Sequence, residues 1–209
     1  MSVSISDNKT LLAKYLPAKC VDNIFEFIVN NNVQFKIVNK RISKLGDYLF
    51  IPPNRHRITI NNNLNLYQFL FVTLHEFAHL KTFENNKRKR LLPHGNEWKT
   101  EFRNLLLPCL SKNIFPDDLN VLLWKFIENP QATSSANIQL LKCFQKYNTT
   151  SETINPIRVE DIPLNGFFRL NNRVFKKIRK RRTRFVCELV STKRIYLVHG
   201  LAEVESIME

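Results

Sequence analysis

Two histidines and a glutamate at helical spacing are the residues of this sequence best suited to chemistry. His75, Glu76 and His79 lie in the run His-Glu-Phe-Ala-His, an HExxH motif. On a helix, residues i and i+4 lie about 40° apart around the axis and about 6 Å along it, so both imidazoles leave one face and can reach one ion. Neutral imidazoles bind zinc at about 2.0–2.1 Å. The spacing therefore predicts a Zn²⁺ site.

The glutamate between the histidines is placed for catalysis. Glu76 lies about 100° around the helix from His75, close enough to contact a water at the metal. A catalytic zinc keeps one position for water and lowers its pKa to about 7. We expect Glu76 to take the proton as that water attacks a carbonyl carbon, and then to pass it to the leaving amine. A purely structural metal site has no need of such a base.

A catalytic zinc also needs a third protein ligand. His94 is the best candidate, because it lies in Pro93-His94-Gly95 just before the next predicted helix. We expect Gly95 to let the backbone turn sharply there. The alternative is a metallopeptidase of another HExxH family with an acidic third ligand, and Glu97 and Glu101 are then the residues that matter.

The metal-binding helix is predicted over residues 66–83. It is apolar almost all round, which indicates a buried helix. Alternating strands precede it, and a helix that ends before Pro108 follows it. The predicted strands are 33–38, 48–51 and 57–60, and the other predicted helices are 9–31, 96–107, 117–127 and 136–146.

The sequence pattern changes from helical periodicity to a polar stretch and then to short alternating runs after these helices. Residues 148–163 are polar, contain two prolines and are predicted to be a linker. After it, short alternating runs predict a small antiparallel unit. We therefore predict an α+β chain with a first domain at 1–147, a linker at 148–163 and a basic, β-rich unit at 164–209. The predicted strands of that unit are 167–170, 174–178, 184–190, 194–198 and 202–204.

Basic residues are concentrated in the C-terminal unit. The chain carries 32 Lys and Arg against 18 Asp and Glu, a net charge of +14 that favours polyanionic partners. Lys and Arg neutralise phosphates, and interleaved aromatic rings can stack on bases. We predict DNA binding, single-stranded or structured, although the aromatic residues could equally form the sheet's core and the charges a solvated surface. The predicted contact residues are Lys176, Lys177, Arg179, Lys180, Arg181, Arg182 and Arg184.

A second basic run, Lys87–Arg90, follows the metal-binding helix and could hold DNA beside the site or form a solvated loop. The N-terminal residues have no apolar run of a secretory signal, and the most apolar stretch, 69–74, is too short to span a bilayer. The four cysteines form no CxxC pair. We expect a cytoplasmic, DNA-associated protein with no membrane partner, and the sequence leaves its oligomeric state open.

Three motifs resemble the SprT-like (Spartan-type) family of zinc metalloproteases. They are Ile58-Thr59-Ile60-Asn61 before the metal-binding helix, the HEFAH core, and His94-Gly95-Asn96-Glu97-Trp98 after it. Gly46, which follows Arg41 and Lys44, is a weaker match. The resemblance covers roughly residues 12–102, and an HExxH motif followed by HGxxW is considerably more specific than HExxH alone.

The resemblance implies a zincin-like α+β fold with a buried HExxH helix and a small sheet. It implies zinc ligands at His75, His79 and His94, Glu76 as the base, and hydrolysis of proteins that are often bound or crosslinked to DNA. Many family members carry a cysteine-rich zinc ribbon after this domain, and this chain has none, so DNA contacts through a ribbon do not transfer. The alternative is a nucleic-acid-binding protein whose zinc site is structural or inactive.

Overall fold

The computed structural model describes residues 5–41, 44–87, 91–128, 130, 138–148 and 157–207. The chain forms two compact units, residues 1–149 and 150–209. Over the described ranges, the first unit contains six α-helices and a three-stranded sheet, and the second contains a five-stranded antiparallel sheet. The predicted α+β class with a small antiparallel C-terminal unit is therefore confirmed.

The first unit packs its helices and a mixed sheet around one core. The strand order is β1-β3-β2, with β1 parallel and β2 antiparallel to the central β3. The strands are β1 (Val33–Val38), β2 (Gly46–Ile51) and β3 (Arg55–Asn61). The helices are α1 (Ile5–Leu12), α2 (Val21–Asn30), α3 (Leu66–Asn85), α4 (Asn96–Ser111), α5 (Asp117–Glu128) and α6 (Ile138–Gln145).

Helix α3 carries the HExxH motif through the centre of this core. Asn65 caps its N-terminus, because the side-chain oxygen accepts a hydrogen bond from the backbone N–H of Gln68 at 2.9 Å. The Asn65 amide also donates to the backbone oxygen of Phe144 at 2.8 Å, which ties the start of α3 to α6. Phe69, Phe77 and most of their neighbours on α3 are fully buried, as the apolar pattern predicted.

Two predicted helix boundaries were wrong. The single helix predicted over 9–31 is two helices, α1 and α2, with a 3₁₀ turn at Ala18–Cys20 after Pro17. Helix α4 runs through Pro108 instead of ending before it. Proline removes one backbone hydrogen bond, but Leu106 and Leu110, on either side of it, are both buried, and their packing favours the continued helix.

The second unit is a strand meander to which a final strand is added. The sheet order is β7-β6-β5-β4-β8, so the last strand pairs with the first. Val159 and Ile162 belong to its core, so the residues from 157 to 163, predicted to be linker, pack within this unit. The strands are β4 (Phe167–Leu170), β5 (Arg173–Arg181), β6 (Arg184–Leu189), β7 (Ile195–His199) and β8 (Glu205–Ile207).

The last strand lies later than predicted. Residues 202–204 form no strand; Glu203 makes an isolated bridge with Arg158, and β8 begins at Glu205. Among the described helices, none is both long enough and apolar enough to cross a membrane.

Candidate metal centre

The three predicted ligands converge on one point. His75 and His79 leave the same face of α3, and His94 approaches from the turn before α4. The Nε2 atom of His79 lies 3.2 Å from that of His75 and 3.0 Å from that of His94. The Nε2 atoms of His94 and His75 are 3.2 Å apart. This cluster of three nitrogens could hold a metal ion.

The spacing of the three nitrogens fits tetrahedral coordination. In a regular tetrahedron the ligand–ligand distance is about 1.63 times the ion–ligand distance, so zinc bonds of about 2.0–2.1 Å place nitrogens about 3.3–3.4 Å apart. The observed separations of 3.0–3.2 Å are a few tenths of an ångström shorter. An ion above the triangle would have three protein ligands and one open position.

The third ligand is placed by a turn with an unfavourable backbone. The N–H of Gly95 donates to the carbonyl of Leu92 at 3.0 Å, and Pro93 and His94 are the two central residues. His94 has a φ of 94°, the positive value that a type II turn requires at its third position and that favours glycine. Our expectation that Gly95 makes the turn was wrong, since Gly95 has a φ of −69° and is the N-cap of α4.

The acidic alternatives for the third ligand lie elsewhere. Glu97 is exposed in the first turn of α4, and Glu101 accepts a hydrogen bond from the side chain of Asn85 at 2.8 Å. Within the described part of the chain, His94 is the residue that joins His75 and His79 in the ligand cluster.

Trp98 packs against all three ligands, a role that was not predicted from the sequence. Its ring centroid lies 4.7 Å from those of His75 and His94 and 5.6 Å from that of His79. Its indole N–H donates to the backbone oxygen of His75 at 3.4 Å. The HGxxW motif contained the signal for this role of Trp98. Trp98 follows His94 by four positions and lies in the first turn of α4, so it faces the same site as His94.

The electrostatics of the site keep the imidazoles neutral. Burial, followed by the neighbouring histidines, lowers the pKa of His75 to about 2. Burial and His94 lower the pKa of His79 to about 4, and burial lowers that of His94. The neutral form carries the lone pair that binds a metal, so all three residues are ready to act as ligands at neutral pH.

Glu76 is a buried carboxyl beside this cluster. It is only 6% exposed, and burial, helped by the negative charge of Asp47, raises its pKa to about 8. The positive charges of Arg41 and Lys44 act in the opposite direction and limit this rise in pKa. Among the described residues, no hydrogen-bond donor contacts the carboxyl oxygens of Glu76. A buried acid without a partner is costly, so its retention at this position needs a reason.

Gly46 at the start of β2 makes room for that carboxyl. A Cβ atom at position 46 would collide with Oε1 of Glu76 and would lie 2.7 Å from Cγ1 of Val72. No side chain therefore fits there without moving Glu76 or α3. In the sequence, Gly46 stood out only as a weak motif match, and no role was predicted for it.

Arg41 and Lys44, which precede Gly46, are tied to β3 by a clamp of part-buried hydrogen bonds. The Arg41 guanidinium donates to Oδ1 of Asn61 at 2.8 Å and to Oγ1 of Thr59 at 2.9 Å. The amide of Asn61, which is fully buried, donates back to the carbonyls of Arg41 and Lys44. The clamp brings the positive charge of Arg41 near Glu76 and fixes the approach to Gly46.

A polar chain extends from His79 toward the end of α3. The ring of Tyr48 is nearly parallel to that of His79, with centroids 6.4 Å apart. The Tyr48 hydroxyl lies 3.1 Å from Nδ1 of buried His56, whose Nε2 lies 3.2 Å from Oε1 of Glu84. Glu84 also pairs with Lys87 at 2.7 Å. His56 is thus held by partners of its own outside the ligand cluster.

The predicted nucleic-acid residues do not share one environment. Arg179, Lys180, Arg181, Arg182 and Arg184 are exposed around the β5–β6 turn, and Lys176 is half-buried.

Lys177 is buried instead. Its ammonium donates to the carbonyls of Glu160 and Ile162 and lies 4.0 Å from the centre of the Phe185 ring. In the other basic run, Lys87 pairs with Glu84, and residues 88–90 lie outside the described part of the chain.

Comparison with known proteins adds no relative, since the chain matches no family model, no curated protein and no solved structure. The function must therefore be inferred from the motifs and from the geometry of the site.

Proposed function

We propose that this chain is a zinc-dependent endopeptidase of the SprT-like type, with a zincin-like first unit. The observation that carries the proposal is the convergence of three neutral histidine nitrogens, 3.0–3.2 Å apart, beside the buried carboxyl of Glu76. A structural site has no use for that carboxyl, whereas hydrolysis needs a base next to the metal.

The residues of the site divide into binding and proton-transfer roles. His75, His79 and His94 would hold Zn²⁺, which supplies a Lewis acid that polarises the scissile carbonyl and lowers the pKa of water. Glu76 accepts the proton of the attacking water and gives it to the amine that leaves. Gly46 leaves room for the Glu76 carboxyl, and Trp98 packs against the three imidazoles.

The proposal is tested by metal analysis combined with proteolysis of casein or histones. We expect about one zinc per chain, loss of cleavage on chelation and recovery when zinc is restored. His94→Ala should lose most of the metal, because two histidines hold zinc poorly. If the fully zinc-loaded wild type cleaves nothing, the alternative of a structural or inactive zinc site is correct.

A second proposal concerns the partner: the protein acts on proteins bound or crosslinked to DNA, and its second unit binds that DNA. Arg181 lies directly opposite Arg184 in the sheet, and His199 is next to Arg184 on β7. Like charges directly opposite each other destabilise a strand pair, and a polyanion would relieve the repulsion. The test is cleavage of the same substrates with and without single-stranded DNA.

A further inference from the structure

A cleft of about 300 Å³ adjoins the candidate metal centre on the side of His79. The last turns of α3 form one wall, and the segment before His94, together with Trp98, forms another. An apolar cavity of about 150 Å³ is enough to bind benzene. The cleft therefore has room for an aromatic or long aliphatic side chain.

The walls of the cleft are mainly apolar and carry no unpaired charge among the residues described. Phe83, Leu92 and Pro93 supply apolar surface, and the buried Trp98 lies behind it. Lys87 is neutralised by Glu84 at 2.7 Å, and the side-chain amide of Asn86 donates to the α3 backbone at 3.0 Å. An uncharged occupant fits this lining, because a charged one would lose water without gaining a partner.

Leu92 is a largely exposed apolar residue of the lining. Its side chain is 80% exposed although it lies only two positions before the third ligand. Covering exposed apolar surface contributes roughly 25 cal/mol per Å². Leu92 therefore offers binding energy to an apolar group that enters the cleft.

We propose that this cleft is the specificity pocket for a large uncharged side chain, aromatic or long aliphatic, next to the scissile peptide bond. His79 is both a wall of the cleft and a metal ligand. A side chain seated there would therefore lie beside one ligand of the ion, with the adjoining peptide bond next to the candidate metal centre. This inference rests on the proposed peptidase function, but binding to the cleft can be measured without catalysis.

The binding test uses the fluorescence of Trp98. The chain has two tryptophans, and Trp124→Phe leaves Trp98 as the only one. Titration of this variant with N-acetyl-phenylalanine amide should give a saturable change, and the aspartate and lysine analogues should give none. Leu92→Glu should weaken binding about tenfold, within the range that a change in a hydrophobic pocket produces. The matched control is Val121→Glu, an exposed position on α5 outside the lining, which should change nothing.

The second measurement maps cleavage sites in casein by mass spectrometry. Large apolar residues should be enriched at one position beside the cut, and Leu92→Glu should shift the enrichment toward Lys and Arg. Cleavage without any preference, or fluorescence that does not saturate with the phenylalanine amide, would overturn the cleft assignment and leave the peptidase proposal intact. If the zinc-loaded wild type cleaves nothing, the peptidase proposal fails, and the fluorescence titration still decides whether the cleft binds apolar groups.

Discussion

Among the described Asp, Glu, Lys and Arg residues, each unit buries one side chain, and the two have different surroundings. In the second unit, Lys177 is 3% exposed and its ammonium contacts two backbone carbonyls and the Phe185 ring. In the first unit, Glu76 is 6% exposed, and the described residues offer its carboxyl no hydrogen bond. Both groups lose hydration on folding, but only the lysine regains its partners within the fold.

The difference agrees with a structural role for Lys177 and with the catalytic role that we propose for Glu76. Lys177 holds the segment before β4 onto the sheet, because its two acceptors, Glu160 and Ile162, belong to that segment. Glu76 makes no such bond among the described residues, and it is the neighbour in sequence of His75, which belongs to the cluster that could bind an ion. A buried ionisable group that has no hydrogen-bond partner among the described residues is a candidate for a partner from outside the fold, and for Glu76 we propose the substrate water.

The largest expected effect is on Glu76. Glu76→Gln should keep zinc and the fold but reduce hydrolysis by about 10²–10⁴, because an amide cannot accept the proton. The measurements are zinc content and kcat/KM for a peptide substrate. Glu97→Gln, at an exposed position on α4, is the matched control and should change neither zinc content nor kcat/KM. Loss of zinc in Glu97→Gln with retention in His94→Ala would mean that the third ligand is acidic.

The next effect is that of Gly46→Ala. The added methyl collides with the Glu76 carboxyl, and a misplacement of about 1 Å can cost about 10² in rate. Zinc binding should persist because the three histidines are untouched. A double-mutant cycle checks the mechanism. In the Glu76→Gln background, Gly46→Ala should reduce activity little further, and a full second loss would show that Gly46 acts independently of Glu76.

Lys177→Met should affect stability and not activity. The substitution leaves the carbonyls of Glu160 and Ile162 without their donor, which costs about 1–3 kcal/mol. Urea unfolding of the full chain measures this cost. Lys180→Met, at an exposed position on the same strand, should stay within about 0.5 kcal/mol of wild type. If the two variants are equally stable, the hydrogen bonds of Lys177 to these carbonyls contribute nothing.

A smaller effect should reveal the strain at the third ligand. His94→Gly and His94→Ala both remove the imidazole and should lose zinc. In the metal-free proteins, the glycine variant should be more stable by about 1 kcal/mol, because alanine is penalised at a φ of 94° and glycine is not. Thermal unfolding after chelation compares them. Lower stability of the glycine variant would mean that the turn relaxes without cost when His94 is replaced.

The sequence predicted the cluster of three histidines that could hold a metal ion, because helical spacing is a strong constraint. Once α3 is a helix, His75 and His79 must share a face, and the HGxxW motif brought His94 and Trp98 to it. The role of Gly46 could not be predicted in the same way. It depends on β2 passing directly over Glu76, an approach between residues 30 positions apart that no local pattern encodes.

Predictions from charge density were less informative than predictions from spacing. The run from Lys176 to Arg184 contains seven Lys or Arg among nine residues, yet Lys177 is buried whereas Arg179 and Arg181, which strict alternation would place on the same face, are exposed. A bulge between Lys177 and Arg179 further changes the register, so simple alternation does not identify the faces after it. Helix α4 continues through Pro108, where the neighbours Leu106 and Leu110 are buried, whereas the helical pattern predicted over residues 9–31 is interrupted around Pro17.

The smallest expected change in stability concerns Arg181 and Arg184. Substituting them tests whether the β5–β6 turn is a DNA-binding surface or a solvated one. Each Arg→Ala substitution should stabilise the metal-free, DNA-free protein slightly, by about 0.2–1 kcal/mol, because two like charges no longer lie directly opposite each other. The same substitutions should weaken single-stranded DNA binding and lower the log–log salt slope by about 0.7 for each phosphate that the protein no longer neutralises. Lys177→Met should leave that slope unchanged, since its ammonium is held inside the unit. Fluorescence anisotropy over a series of salt concentrations measures the slope. A gain in stability without a change in slope would assign these arginines to a solvated surface, and an unchanged slope in all three variants would place any DNA binding outside the β5–β6 turn.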